Sequence, residues 1–190
     1  MNHIVGNHDI LFITLDTLRY DVACQELATG NLPNLARFLP EQGWEKRHSP
    51  GSFTYSAHQA FFAGFLPTPA KPGYHARIFA LTFHGSETTG EETCVFDAPD
   101  IVNGLAGRGY HTICIGGVGF FNKLTPLGSV LPNLFQESYW QPSFGVTEPK
   151  STENQVKCIL ERISWVKSTQ RLFLFFNVSA LHQPNYFYLP

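Results

Sequence analysis

The sequence has few charges and lacks the segments typical of export or membrane insertion. Only 15% of its 190 residues are charged, and the formal net charge is −2. A nucleic-acid-binding domain usually carries a clustered basic surface, so we predict no nucleic-acid partner. No apolar run is long enough to cross a bilayer, and the first residues lack the basic-then-apolar pattern of a signal peptide. We therefore predict no membrane partner.

The sequence also lacks closely spaced cysteines. Its four cysteines, at positions 24, 94, 114 and 158, form no C-x-x-C pair, which argues against a zinc knuckle or a dithiol motif. Cys114 and Cys158 lie in apolar runs, and we predict that both are reduced core residues. Free thiols are typical of a reducing compartment, so the predicted location is a bacterial-type cytoplasm.

The composition indicates one globular domain over residues 1–190. Hydrophobic residues make up 43% of the chain, which is enough to bury a core and argues against disorder. The 17 phenylalanines predict an aromatic-rich core. No internal repeat is visible, and nothing in the sequence indicates an oligomeric state.

The hydrophobic patterns predict strands that alternate with helices. Continuous apolar runs predict buried strands at 10–15, 110–115 and 172–176, with weaker strands at 43–49 and 78–83. Helices are predicted at 20–29, 34–39, 56–63, 100–108 and 152–167, the last with a capping box of Thr152 and Gln155. Residues 67–76 and 85–93 are predicted loops, and 119–149 show little regular structure. This alternation predicts an α/β fold, a three-layer αβα sandwich with a mostly parallel central sheet.

Two segments place polar side chains at element ends. The first predicted strand ends in Asp16, where an α/β sheet usually binds its ligand, so Asp16 could hold a metal ion. Asp16 could instead cap the following helix. A second segment, GSFTYSAHQAFFAGFLP, places hydroxyls at positions 52, 54 and 56 just before a helix, whose N-terminus favours an anion and can help form an alkoxide. Plain N-capping by Thr54 or Ser56 is the alternative. His182, after the last strand, is either a ligand or a solvated loop histidine.

Together these segments resemble the alkaline phosphatase and sulfatase superfamily. Asp16 and Arg19 match the metal-binding Asp and the following Arg of its first motif. In the nucleophile motif, C-x-P-S-R-A-x-x-x-T-G, Thr54 takes the nucleophile position and His58 the Arg position. Residues 98–112 resemble the superfamily's helix, Gly-Tyr-x-Thr and strand, and His182-Gln183-Pro184 resembles its H-x-P motif. The segments LDTLRYDVA and SALHQPN are particularly similar to a small group of bacterial sulfatase-like hydrolases.

The resemblance implies a hydrolase of small-molecule phosphate mono- or diesters. In such an enzyme Asp16 and Thr54 would bind a divalent metal ion (Zn, Mn, Mg or Ca), and Thr54 would attack phosphorus and form a covalent phosphothreonine. His182 would contact the substrate or the leaving group, and His58 would serve at the Arg/His position of the nucleophile motif.

Several positions depart from the superfamily pattern. Position 54 is not Cys, so the formylglycine of sulfatases cannot form there, which argues against classical sulfatase activity and leaves only a sulfate-ester hydrolase without formylglycine. Thr17 replaces a second Asp, and Lys123 is a weak substitute for the Lys of the Gly-Lys pattern. The later Asp-His-Gly motif is absent, so we expect the chain to be the N-terminal part of a longer protein.

Two other classes fit less of the sequence. A haloacid-dehalogenase-like phosphatase also has a strand that ends in Asp-Thr-Leu, but its chemistry needs a second acid at position 18, which is Leu. A non-catalytic or truncated α/β module of the same fold would account for the missing ligands. Binding of a divalent cation at Asp16 distinguishes a metalloenzyme from such a module.

Overall fold

The computed structural model describes residues 3–64, 73, 79–80, 94–95 and 100–188. In chain order, the strands are β1 (Ile10–Leu15), β2 (Phe79–Ala80), β3 (Cys94–Val95), β4 (His111–Ile115), β5 (Glu137–Tyr139) and β6 (Leu172–Val178). The α-helices are α1 (Tyr20–Ala28), α2 (Pro33–Ala36), α3 (Thr54–Ala63), α4 (Ile101–Ala106), α5 (Pro126–Val130) and α6 (Ser151–Ile163). Short 3-10 turns lie at Gly119–Phe121, Pro132–Leu134, Pro142–Phe144 and Asn185–Tyr188.

The main sheet has four strands in the order β1-β6-β4-β5, and all neighbours run parallel. β2 and β3 pair with each other, also in parallel. The predicted α/β class with a parallel sheet is therefore confirmed. Because the strands are parallel, β1, β4, β5 and β6 all end at one edge of the sheet, where an α/β fold places its ligands.

Strand β6 separates two apolar cores because its side chains alternate between the two faces. Phe173 and Phe175 belong to one core, which α3, α4 and α5 cover. Leu174 and Phe176 belong to the other, which includes residues of α6. Phe175 alone makes aromatic contacts with five rings, those of Phe12, His58, Phe62, Phe121 and Phe135. The prediction of an aromatic-rich core is confirmed.

Most predicted elements are present, with shifted ends, and three predictions are wrong. Strand β1 forms as predicted but is not buried, because it lies at an edge of the sheet and Leu11 and Ile13 are exposed. No strand forms in 43–49, where the structure describes every residue. The capping box is absent because α6 begins at Ser151, after Lys150, with no side-chain cap hydrogen bond. The predicted loop at 85–93, most of the loop at 67–76 and most of the strand at 78–83 lie outside the described residues.

The chain divides into two compact units, Thr17–Ser49 and the remainder, Met1–Asp16 with Pro50–Pro190. The smaller unit contains α1 and α2, and the larger contains the main sheet and every side chain of the site below except Thr17 and Arg19. Cys114 is buried and free, and Cys158 is partly buried and free, as predicted. Within the described part of the chain, no helix has both the length and the apolarity to cross a membrane.

Candidate active site

Asp16 lies at the carboxyl end of β1 and is nearly buried. Its backbone N–H donates to the carbonyl of Val178 at 3.3 Å, which continues the pairing of β1 with β6 by one residue. Helix α1 begins later, and its N-cap is Arg19. Asp16 is therefore not the cap of α1, and its carboxylate is directed to side chains at the edge of the sheet.

The Thr54 hydroxyl contacts that carboxylate directly. Thr54 is the first residue of α3, and its Oγ1 lies 3.2 Å from both Asp16 Oδ1 and Asp16 Oδ2. The N-cap of α3 is Phe53, without a side-chain cap bond, and the Ser56 hydroxyl donates to the Phe53 carbonyl. The N-capping alternative for Thr54 and Ser56 thus does not describe α3. The structure brings together the two residues that the sequence proposed as metal ligands.

His58 lies behind Thr54, one turn along α3, and is only 3% exposed. Its Nδ1 is 2.7 Å from the Thr54 carbonyl oxygen, and its Nε2 is 3.1 Å from Thr14 Oγ1. The edges of Phe61, Phe121 and Phe175 surround the ring. Because both nitrogens are engaged by protein groups, His58 is placed to position Thr54 and does not reach the solvent side of the site.

Asn177 completes the cluster, although it belongs to no recognisable sequence motif. It is fully buried near the end of β6, and Thr14 is its partner in the register of β1. Its Nδ2 donates to Thr14 Oγ1 at 3.0 Å and to Asp16 Oδ2 at 3.3 Å. Its Oδ1 accepts from the Val118 N–H at 3.0 Å, which fixes the orientation of the amide. A polar residue at the end of an apolar strand was the only available signal.

These contacts form a closed ring of hydrogen bonds through Asp16, Thr54, His58, Thr14 and Asn177. When His58 is neutral, the donor and the acceptor of each bond are determined. The Thr54 carbonyl can only accept, so His58 Nδ1 donates to it. Burial lowers the pKa of His58, against the opposing effects of the Thr54 carbonyl and the Asp16 charge. In the neutral imidazole of His58, Nε2 accepts from the Thr14 hydroxyl, whose oxygen in turn accepts from the Asn177 amide. Thr54 and Asn177 both donate to Asp16, which closes the ring at an acceptor.

A second layer holds the strand ends in place. Gln155 of α6 is fully buried, and its Nε2 donates to the carbonyls of Gly116 at 2.9 Å and Asn177 at 2.8 Å. Gly117 packs so closely that a Cβ there would lie 2.4 Å from the Asn177 carbonyl oxygen. The ends of β4 and β6 are therefore fixed by an amide bridge and by a close backbone approach.

His182 also lies at the carboxyl end of the sheet, but outside the hydrogen-bonded ring. It follows β6, donates through Nδ1 to the Gln183 carbonyl at 2.6 Å, and lines a cavity of about 300 Å³. Phe120 lines the same cavity and packs against Phe53 and Tyr55, the two neighbours of Thr54. Thr54 and Asp16 themselves do not line this cavity. The structure therefore places His182 near the Thr54 segment, with Phe120 between them, but does not bring it into the hydrogen-bonded ring.

Three other motif positions have individual geometries. Arg19 is exposed and pairs with Asp21. Thr17, directly after Asp16, has a φ of +63°, a left-handed conformation that β-branched residues rarely adopt. Lys123 has a φ of +59° and donates to Ser138 on β5. None of these three side chains belongs to the hydrogen-bonded ring around Asp16.

The oxygen atoms of Asp16 and Thr54 suit a hard divalent cation. Carboxylate and hydroxyl oxygens are typical ligands of Mg²⁺, Mn²⁺ and Ca²⁺, and Mg²⁺ often takes only one or two protein carboxylates, with water and substrate completing its shell. Among the residues that the structure describes, no group of three or more His, Cys, Asp or Glu side chains could hold a metal ion. The chain thus offers two fitting ligands in contact with each other.

Comparison with protein-family models, curated proteins and solved structures gives no match for this chain.

Proposed function

We propose that this chain carries the nucleophile of a metal-dependent hydrolase of the alkaline phosphatase and sulfatase type, which cleaves a phosphate ester through Thr54. The observation that carries the proposal is the contact of the Thr54 hydroxyl with the Asp16 carboxylate, at 3.2 Å to each oxygen. The two residues are 38 positions apart in the sequence and meet at the carboxyl edge of a parallel sheet. Ligand sites of α/β sheets lie at this edge.

The fold supports the same assignment. Helices pack against both faces of the sheet, α3 and α4 on one and α6 on the other. We infer that the larger unit corresponds to part of a three-layer αβα sandwich of the alkaline phosphatase type. In such a sandwich Asp16 and Thr54 would be the metal ligand and the nucleophile of the superfamily motifs.

Thr54 would act as the nucleophile at the start of α3. The N-terminus of a helix carries unpaired N–H groups and the positive end of the dipole, both of which favour an anionic phosphoryl group. The Thr54 Oγ1–phosphorus bond forms as the bond from phosphorus to the ester oxygen breaks, the Asp16 carboxylate is placed to accept the hydroxyl proton, and the leaving oxygen takes a proton from solvent. Water then cleaves the phosphothreonine, which restores the Thr54 hydroxyl and releases phosphate from a monoester or a phosphate monoester from a diester. A divalent ion held by Asp16 and Thr54 would lower the pKa of the hydroxyl and neutralise charge on the phosphoryl oxygens.

The other residues of the hydrogen-bonded ring would position Thr54 and Asp16. His58 holds the backbone of Thr54 through its carbonyl, and Asn177 holds one oxygen of Asp16. Both partners are buried, so neither is available to the substrate. His182 retains the role that its motif suggests, contact with substrate oxygens or with the leaving group. Its Nδ1 is engaged by the Gln183 carbonyl, so Nε2 is the nitrogen that would make this contact.

The test compares the wild-type chain with Thr54→Ala, Thr54→Ser and Asp16→Asn. Each protein is incubated with an aryl phosphate monoester or diester and Mn²⁺ or Zn²⁺, and both aryl alcohol release and the intact protein mass are measured. We expect slow turnover, because Asp16 and Thr54 alone hold a cation weakly. We expect a phosphoryl adduct on Thr54 in the wild type, retention of the adduct in Thr54→Ser, and its loss in the other two variants.

Calorimetric titration with Mn²⁺ and Zn²⁺ separates this proposal from a non-catalytic module. The proposal requires that Asp16→Asn weakens cation binding by roughly tenfold or more, since a charged ligand is lost. Turnover that persists in Thr54→Ala, or a wild-type chain that binds no divalent cation and forms no adduct, would overturn the assignment. The second of these results would favour the non-catalytic α/β module.

A further inference from the structure

A cavity of about 660 Å³ lies at the carboxyl end of β5, beyond the hydrogen-bonded ring around Asp16. Its walls come from the segment after β4, the segment after β5, and α6. They include Lys123, Tyr139, Trp140, Asn154, Glu161 and Arg162. None of these residues belongs to the ring, and the position at the carboxyl edge of a parallel sheet is typical of a ligand site. Its size falls in the range of small-molecule pockets, about 300–1,000 Å³.

Lys123 is held in the wall of this cavity in a conformation that is unusual for lysine. Its φ of +59° lies in the left-handed region, which costs a non-glycine residue free energy and persists only where the surroundings enforce it. Its Nζ donates to the Ser138 carbonyl at 3.1 Å and to the Ser138 hydroxyl at 3.0 Å. The ammonium group is therefore fixed at the cavity by two neutral acceptors, and it pairs with no carboxylate in the part of the chain that the structure describes.

Arg162 presents a pre-oriented guanidinium group to the same cavity. Its Cζ lies 4.4 Å from the ring centre of Tyr139 and 4.5 Å from that of Trp165. Its Nε is buried and has no hydrogen-bond partner among the described residues. Among the described residues, the carboxylate that pairs with it is Glu161, at 3.4 Å, and the Glu161 side chain is 55% exposed. The Cys158 thiol also interacts with the guanidinium group. Because an exposed ion pair and a thiol are both weak partners, the guanidinium group can bind a stronger acceptor at the cavity.

The remaining wall is aromatic and amide-rich. The half-buried Trp140 is fixed by a hydrogen bond from its Nε1 to the Gly117 carbonyl at 2.9 Å. Asn154 adds an amide, which donates to the Ser143 carbonyl at 3.2 Å. A fixed apolar ring beside amides and two oriented cations can hold the organic part of a ligand and its anionic group at once.

We propose that this cavity binds a small organic oxyanion ester, with its phosphate or sulfate group on Lys123 and Arg162 and its ring against Trp140. Arg binds such groups through two parallel N–H bonds, and Lys adds a point charge. The proposal stands independently of the hydrolase proposed above, because it uses no residue of the Asp16 and Thr54 cluster.

The experiment follows binding at the cavity by NMR in the presence of EDTA, so that no divalent cation is available at Asp16. Phenyl phosphate, phenyl sulfate, inorganic phosphate and benzyl alcohol are each titrated into the ¹⁵N-labelled chain. The signals observed are the Nε–H of Arg162 and the indole N–H of Trp140. We expect a saturable shift of both signals with the two esters, weaker binding of inorganic phosphate and none of benzyl alcohol. The tighter ester identifies the preferred oxyanion.

Matched variants assign the binding to these side chains. Lys123→Gln and Arg162→Gln should each lower the affinity for the preferred ester by roughly tenfold or more, as expected for loss of a charge-assisted hydrogen bond. Glu161→Gln should raise that affinity by roughly twofold to fivefold, since a competing carboxylate is removed. That gain is a result that damage to the fold would not produce. Lys167→Gln makes the same charge change at an exposed position outside the cavity and should have no effect.

The outcomes are distinguishable from those of the hydrolase test. Thr54→Ala should bind the ester as the wild type does, even though it forms no phosphoryl adduct. The cavity proposal is overturned if the esters shift neither signal, or if Lys167→Gln weakens binding as much as Lys123→Gln. It is also overturned if Thr54→Ala abolishes the shifts, because the ester would then bind at the Asp16 edge.

Discussion

At the scale of single residues, the protonation of His58 determines whether the hydrogen bonds around Asp16 can all be made. A neutral ring donates at Nδ1 to the Thr54 carbonyl and accepts at Nε2 from the Thr14 hydroxyl. A protonated ring would present a second donor to Thr14, which would have to turn its own hydroxyl hydrogen away. Burial among aromatic rings favours the neutral form for the same reason that it lowers the pKa of His58.

Stability should therefore fall when the solution is made moderately acidic. The pKa of His58 is lower in the folded chain than the ordinary value of about 6.5, so below that pH the unfolded state binds a proton that the folded state does not. The contribution of neutral His58 is complete above about pH 6.5 and is lost as the pH falls, by at most about 1.4 kcal/mol per pH unit. Urea unfolding between pH 8 and pH 5 measures this slope.

His58→Gln should flatten the slope in that window, whereas His48→Gln, at an exposed histidine, should leave it unchanged. The salt-bridged Glu137 does not interfere, because the pKa of its carboxyl is lowered and it titrates below this range. An equal slope in wild type and His58→Gln would show that another group is responsible.

At the scale of elements, α6 is tied to the sheet through a residue that the sequence assigned to its cap. Gln155 matches the fourth position of a capping box with Thr152, but its amide is buried and bridges the carbonyls of Gly116 and Asn177. The helix end is thus set by its contacts with the strand ends, and Thr152 makes no cap bond.

Gln155→Leu should destabilise the chain by about 2–3 kcal/mol, because two buried carbonyl groups lose their donor. Thr152→Ala should change the free energy of unfolding by no more than about 0.5 kcal/mol. If Thr152 were part of a functional capping box, the same substitution would lower the free energy of unfolding by more than this. Denaturant unfolding of both variants measures the difference. Equal losses, or a larger loss for Thr152→Ala, would contradict the observed role of Gln155.

The elements that the sequence predicts well are those whose pattern depends only on burial. Strands β4 and β6 are buried in a parallel sheet, and each appears in the sequence as an apolar run. β1 also appears as an apolar run, but it lies at an edge of the sheet with one face exposed. β5 was missed because its three residues, Glu137–Tyr139, are polar or amphipathic and occupy an edge of the sheet. In the site, Asp16 and Thr54 follow motifs, whereas Asn177 acts through contacts with residues that are distant in the sequence. No local pattern marks such contacts.

At the scale of the whole molecule, the sheet leaves part of one face uncovered along β1. Ile10 and Phe12 point into the aromatic core, whereas Leu11 and Ile13 point to the other face and are 59% and 43% exposed. Within the described residues β1 pairs with β6 alone and forms an edge of the main sheet. An apolar row on an edge strand favours self-association.

Leu11→Lys and Ile13→Lys should therefore reduce concentration-dependent association in sedimentation velocity. Each should change stability by only about 0.5 kcal/mol, as is usual for exposed positions. Phe12→Lys, on the opposite face of the same strand, is the control and should unfold the chain, since Phe12 packs against Phe61 and Phe175. Association that is unchanged in both surface variants would show that this row does not contribute.

The left-handed conformation of Thr17 determines which residues should be favoured at this position when only stability is selected. Gly, and to a lesser extent Asn, adopts a φ of +63° at lower cost than a β-branched residue. A library randomised at position 17 and sorted for heat resistance alone should therefore become enriched in these two residues over Thr. The same library, sorted for phosphoryl transfer, shows whether Thr17 is kept for function. Codon counts after each sort provide the readout, and enrichment of Thr in the heat-resistant pool would contradict the expectation.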